Sequence, residues 1–215
     1  MANKVKAVIF DLDGVLVTTD GLHYEAWKKM ADREGIYFDK EINNRLRGVS
    51  RVASCMIILE RAARQYSEDE ITELCTYKND LYGVLLDTLT ADDVLPYGRE
   101  VIAALKAAGV KIAIGSSSKN TKKILTKLGL IDEFDAIADG TDITRSKPDP
   151  EVFLCAAHKL GVAPEDCAVV EDAVAGIEAA KAGGMLACAI SDAAKCGIAD
   201  HKLNTLRDLL DIVIG

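Results

Sequence analysis

The sequence predicts an α/β fold: an open parallel sheet with helices on both faces, broken by one all-helical insert. Three observations predict it. Short apolar runs alternate with helical patterns at both ends of the chain. The connections between them are short. Between about residues 21 and 89 no strand-like run occurs at all.

Val5–Phe10 is a short, continuous apolar run of the kind buried on both faces of a parallel sheet. Four more such runs are Lys111–Ile114, Phe134–Ala138, Cys167–Val170 and Met185–Ile190. Between them, Arg99–Ala108 places Val101, Ile102, Leu105 and Ala108 on one helical face and stops at Gly109. Asn120–Leu128, Glu151–Leu160 and Ala173–Ala182 follow as further helices. In the insert, His23–Glu34 carries Ala26, Trp27, Met30 and Ala31 at helical spacing, and Val52–Tyr66 carries Met56, Leu59 and Ala63. Ser67 with Glu70 reads as a capping box opening a helix towards Leu86. The expected division is a core of residues 1–17 and 93–215, with a helical cap domain at 18–92. An insert placed there is a candidate lid.

Composition bounds the function. At 215 residues and 49% hydrophobic, the chain can bury one substantial core and a small accessory one. The net charge of −8, with no basic or basic–aromatic stripe, argues against nucleic acid as a partner. The six cysteines form no CxxC pair and sit mostly among apolar residues, which reads as reduced core thiols rather than a zinc site. The apolar run at the N-terminus is too short for a signal peptide, and no stretch approaches a membrane span, so a soluble cytoplasmic protein is expected. Nothing demands more than a monomer.

Four clusters carry the chemistry, each at the end of a predicted strand. Asp11 and Asp13 stand two apart in Asp11-Leu-Asp13-Gly14, where the glycine allows a sharp turn. Read alone this could be an Asx-turn. Glu171-Asp172 ends another buried run; read alone it could cap the following helix. Together the four carboxylates converge on the sheet edge where open α/β folds bind ligands, and their repulsion calls for a cation such as magnesium. Gly115-Ser116-Ser117-Ser118-Lys119-Asn120 joins a strand to a helix, as an anion site does, though a serine N-cap looks the same. In Ser146-Lys147-Pro148-Asp149-Pro150, two prolines hold Lys147 at a set angle, suited to neutralising a phosphoryl group; alone it also fits a solvated lysine.

In this order the clusters resemble the motifs of the haloacid dehalogenase superfamily of phosphotransferases, over nearly the whole chain. The resemblance implies a Rossmann-like core and a magnesium-dependent mechanism. Asp11 would be the nucleophile that becomes an aspartyl phosphate, and Asp13 the general acid and base. Asp11, the Asp13 backbone carbonyl and Asp172 would hold Mg2+, with Glu171 either a direct ligand or just behind them. Ser116 and Lys147 would bind the transferring group. Such chemistry needs charge neutralisation and in-line positioning.

Within the insert, Thr19, His23, Trp27, Arg47, Gly48, Arg51, Ser54 and Lys78 resemble the cap of the β-phosphoglucomutase family, down to the spacing from Asp11. That family often has Lys where this chain has Arg47. The resemblance implies a sugar phosphate as substrate, with Arg51 binding its second phosphate, assisted by Ser118, Lys119 and Asn120 of the core. Gly48 and Ser54 match its sugar-binding loop, Thr19 and His23 its hinge, and Lys78 a lysine near the active site. On the residues alone, His23 could be a helix-start histidine, Arg51 a solvated arginine and Trp27 plain cap core. The expected reaction interconverts β-D-glucose 1-phosphate and glucose 6-phosphate through glucose 1,6-bisphosphate. The alternative is a sugar-phosphate phosphatase on the same scaffold.

Overall fold

A computed structural model of the chain describes residues 5–46 and 50–215. The described residues divide into two compact units, Met1–Thr18 with Thr90–Gly215, and Thr19–Leu89.

The first unit is built on a six-stranded sheet. Its strands are β1 (Ala7–Phe10), β2 (Lys111–Gly115), β3 (Ala136–Ala138), β4 (Cys167–Glu171), β5 (Leu186–Ala189) and β6 (His201–Lys202), in the order β3-β2-β1-β4-β5-β6. Every pairing is parallel. β1 lies at the centre because all four of its residues are apolar and buried, so both faces can be covered. The covering helices are α5 (Gly98–Ala107), α6 (Thr121–Lys127), α7 (Glu151–Leu160), α8 (Val174–Ala182) and α9 (Leu209–Val213). Ile9, Ala113 and Val169 from neighbouring strands share one core with Phe153, Ala156 and Ile177 from α7 and α8.

Register places the chemistry. Phe10 pairs with Ile114 on one side and with Val170 on the other. The next residue along each strand therefore reaches the same edge: Asp11, Gly115 and Glu171. The Asp11 N–H continues the ladder by donating to the Val170 carbonyl at 3.0 Å, and the Ser116 N–H donates to Ala138 at 3.1 Å.

The second unit holds α1 (Asp20–Arg33), α2 (Lys40–Asn44), α3 (Arg51–Leu59) and α4 (Glu68–Leu85), packed around Trp27, Met30, Phe38, Ile58 and Leu74. α4 opens with both bonds of the Ser67–Glu70 capping box. The helix expected over Val52–Tyr66 stops at Leu59 instead. Residues 60–66 are good helix formers, but Tyr66 turns away to pack on the helical core and to donate to Glu34 at 3.0 Å. Tertiary contacts override propensity here. β6 also arises inside Ser191–Asn204, a polar stretch with no apolar pattern, because two residues suffice to pair with Cys188 and Ala189. No helix among the described residues is long and apolar enough to cross a membrane.

Candidate active site

The centre of the site is Lys147. Its Nζ donates to Asp11 Oδ1 and to Glu171 Oε1, each at 2.5 Å, with all three side chains almost wholly buried. The loop before it is pinned to α7: the Glu151 carboxylate accepts from the backbone N–H groups of Thr144 and Arg145 at 3.0 and 2.8 Å. The Lys147–Pro148 bond is cis. Beneath Lys147 lies the Phe153 ring, 4.5 Å from Nζ to its centroid. Gly115 makes room for that ring, since a Cβ there would collide with it. Phe153 carries no motif of its own and is visible only in the fold.

Asp11, Glu171 and Asp172 each offer an oxygen, and these oxygens lie within 4.8 Å of one another. Two glycines bring them so close. A Cβ on Gly14, whose φ is +83°, would fall on the Asp172 carboxylate, and one on Gly176 would fall on that of Glu171. Both Glu171 oxygens are already engaged: Oε1 by Lys147 and Oε2 by the Ala173 N–H at 2.8 Å. Asp13 follows in the turn closed by the Gly14 N–H donating to Val17 at 2.7 Å. Its side chain is not among the three clustered carboxylates, but its charge is felt by Asp172.

Electrostatics mark this as a place short of positive charge. Burial pushes the Asp11 carboxyl up to about 8; Lys147 opposes this, while Glu171 and Asp172 add to it. Burial, then Glu171 and Asp13, push Asp172 up to about 7. Burial alone would lower Lys147, but Asp11 and Glu171 outweigh it and hold the ammonium above the ordinary lysine range. Three clustered carboxylates thus share one ammonium, which pairs with two of them. Crowded hard oxygens with a deficit of positive charge fit a small divalent cation of the magnesium kind.

Ser116 is buried and its Oγ accepts from the Ser118 N–H at 3.3 Å; Ser118 Oγ accepts from the Asn120 N–H at 3.2 Å. These hydroxyls shape the loop after β2. Lys119 is exposed and Asn120 half-buried there.

A second cluster lies inside the helical unit. Lys78 on α4 is buried, and its Nζ stands 2.8 Å from His23 Nδ1 on α1. The same Nζ lies 4.8 Å from the ring centroids of both Trp27 and Tyr82. Tyr82 stacks on His23 at 4.0 Å and donates to Thr19 Oγ1 at 3.0 Å. Tyr82 is a member that the sequence motifs do not include; its one signal is its place a helical turn after Lys78. Burial and then the Arg51 charge pull Lys78 down to about 7. Burial, Lys78 and Arg51 pull His23 down to about 3, so its ring is neutral and Nδ1 accepts from Lys78. Among the described residues no carboxylate pairs with Lys78. Arg51 is exposed at the start of α3, and Ser54 is buried one turn on. Arg47 and Gly48 lie outside the described residues.

Comparison with known proteins gives one family. A profile described as haloacid dehalogenase-like hydrolase matches residues 5–184. The chain is similar to the β-phosphoglucomutase of Bacillus subtilis (strain 168), at 43% identity over 207 residues covering 95% of this chain and 92% of that one. It is also similar to the phosphorylated carbohydrates phosphatase of Thermotoga maritima, at 30% identity over 184 residues covering 84% and 82%. Among solved structures, the β-phosphoglucomutase of Clostridium difficile superposes with a TM-score of 0.85 at 37% identity, covering 95% of this chain and 93% of that one.

Proposed function

We propose that this chain, which belongs to the haloacid dehalogenase-like hydrolase family, is a magnesium-dependent phosphomutase that interconverts β-D-glucose 1-phosphate and glucose 6-phosphate. One observation carries the choice of mutase: there are two separate cationic centres, and a mutase passing through a bisphosphate needs two anion sites. Lys147 sits among carboxylates, as phosphoryl transfer to an aspartate requires. Lys78 with Arg51 has no acid beside it among the described residues, and so suits a phosphate that is held but not transferred. The β-phosphoglucomutase relatives support the same reading.

In this reading Asp11 attacks phosphorus in line and is phosphorylated, dividing one displacement into two. Lys147 orients the Asp11 carboxylate and offsets charge on the transferring oxygens, while Glu171 holds Lys147 in place. Ser116 binds the transferring group. Asp13 gives a proton to the leaving sugar oxygen and takes one from the attacking hydroxyl. Mg2+ would be held by Asp11, Asp172 and the Asp13 backbone carbonyl, where it supplies charge neutralisation. Glu171, with both oxygens engaged by Lys147 and the Ala173 N–H, would add its charge beside that ion. The bisphosphate then presents its other phosphate to Asp11.

A coupled assay for glucose 6-phosphate, run beside an assay for free phosphate, tests the proposal. Glucose 6-phosphate should form from the β anomer in large excess over released phosphate; phosphate release alone would make the chain a phosphatase. Arg51→Ala should lower mutase turnover by about 1.5–3 kcal/mol in kcat/KM, the worth of a charge-assisted bond, and leave hydrolysis of a small phosphate ester nearly unchanged. Equal losses would remove the second phosphate site.

Lys78 sets an expected pH dependence. The free protein loses the Lys78 proton as pH rises through about 7, with Arg51 charged and His23 neutral beside it. A bound phosphate favours the ammonium, so binding takes up a proton above that pH. KM for the sugar phosphate should therefore rise with pH above about 7, by at most about tenfold per unit. Lys78→Arg, which stays charged, should flatten that rise. An identical KM profile in the variant would assign the pH dependence elsewhere.

A further inference from the structure

Among the described residues, Phe153 is the one aromatic side chain in the core that α7 and α8 share with the strands. Its companions there include Ala113, Val152, Ala156 and Val169, all smaller. A residue wanted for volume alone could be aliphatic. Three observations point to a further task. The ring is wholly buried, and its centroid lies 4.5 Å from Lys147 Nζ. Gly115 ends β2 without a side chain, and a Cβ there would come within 2.6 Å of the ring, so a buried strand position is given up to admit it. Ring and lysine also belong to one braced stretch. The Phe153 N–H donates to the Pro150 carbonyl at 3.1 Å, and Glu151 accepts from the Thr144 and Arg145 N–H groups on the other side of Lys147 in sequence.

We infer that Phe153 is a positioning residue for phosphoryl transfer: a fixed π face that keeps the Lys147 ammonium in place while Asp11 gives up its charge. The inference rests on the nucleophile role of Asp11 in the proposed function. Two of the three Lys147 N–H groups go to Asp11 and Glu171, which leaves the third for a phosphoryl oxygen. As an Asp11 oxygen bonds to phosphorus, the bond from phosphorus to the sugar oxygen breaks. The electron pair leaves with that oxygen, which takes the Asp13 proton. Asp11 is then an acyl phosphate, without its charge and a weaker acceptor. The ammonium therefore shifts its hold from Asp11 to the phosphoryl oxygens, and Glu171 and the ring are the neighbours that stay the same.

The kind of side chain matters for the same reason. An aliphatic neighbour would only strip water from a buried ammonium. A ring face attracts the cation through its quadrupole as well as excluding water. In the free site two carboxylates fix Lys147 with or without the ring; during transfer only Glu171 does. Loss of the ring face therefore costs more in the transition state than before it, and belongs in kcat rather than KM.

The test replaces Phe153 in the full-length protein with mono-, di- and trifluorophenylalanine, assayed with magnesium. Fluorine draws charge from the ring face and leaves the shape of the ring nearly unchanged. Mutase kcat should fall step by step along the series, roughly tenfold by the trifluoro ring, the scale of a desolvated cation–π contact. KM for the sugar phosphate should stay within about twofold. Phe153→Leu should lose at least as much kcat; if it does not fold, the fluorinated series decides. A level kcat along the series would make the ring plain core and overturn the inference, and so would a loss confined to KM or to thermal stability. Hydrolysis of a small phosphate ester uses the same Asp11 step and should fall in parallel. Were the unmodified protein to hydrolyse the ester but interconvert no sugar phosphate, the mutase reading would fail, and the series read on hydrolysis would still decide Phe153. A protein with neither activity would overturn both.

Discussion

Asp11→Asn is expected to reduce turnover on the order of 10⁴-fold or more, the scale seen when a covalent nucleophile is removed. The amide has the volume of the carboxylate and can still accept from Lys147, but it cannot displace an oxygen from phosphorus. Stability should move differently. Folding raises Asp11 from 3.8 to about 8, so between those values the folded chain keeps a proton that the unfolded chain has released. Metal-free stability of the wild type should therefore decline as pH rises through that window. Asp11→Asn removes this component, so above neutral pH the metal-free variant should be no less stable than the wild type. Denaturation in a chelator, beside steady-state kinetics with magnesium, measures both. A variant that keeps roughly a tenth of wild-type turnover would end the nucleophile assignment.

Lys147→Ala should be the most destabilising single change at this site. It leaves Asp11 and Glu171 facing each other, both buried, with their shared cation gone. Breaking a buried pair from one side costs about 3–5 kcal/mol, because a charge is left uncompensated. The same change should abolish turnover, since nothing then orients Asp11. Two controls separate charge from packing. Lys147→Met keeps the stem over Phe153 and should be nearly as damaging at neutral pH. Under acidic conditions the loss should shrink in both variants, because the stranded carboxylates can take up protons. A loss of less than about 1 kcal/mol in the metal-free protein would show that Lys147 behaves as an exposed ion pair does.

Much of this site is legible in single stretches of sequence, for a local reason. A run such as Val5–Phe10 can only be buried on both sides, and a polar cluster directly after such a run must emerge at the strand's C-terminal end. Parallel pairing does the rest, since Phe10, Ile114 and Val170 in register carry Asp11, Gly115 and Glu171 to one edge. Lys147 is less obvious, because a lysine between a serine and a proline reads equally well as solvated. Its meeting with Asp11 spans 136 residues and appears only once the sheet has formed.

The helical unit shows where such reading stops. Three helices of the insert and the Ser67 capping box follow from apolar spacing and one short motif, whereas the five-residue α2 does not. The early end of α3 and the stacking of His23 on Tyr82 do not. Each depends on how one helix is rotated and shifted against another, which is set by side chains interlocking along the whole interface. The alternation of strands and helices and the acidic clusters at strand ends were therefore written in the chain's local pattern. Which lysine is buried without an acid, and which ring stacks on His23, was decided by packing, because those contacts exist only between segments that no local period connects.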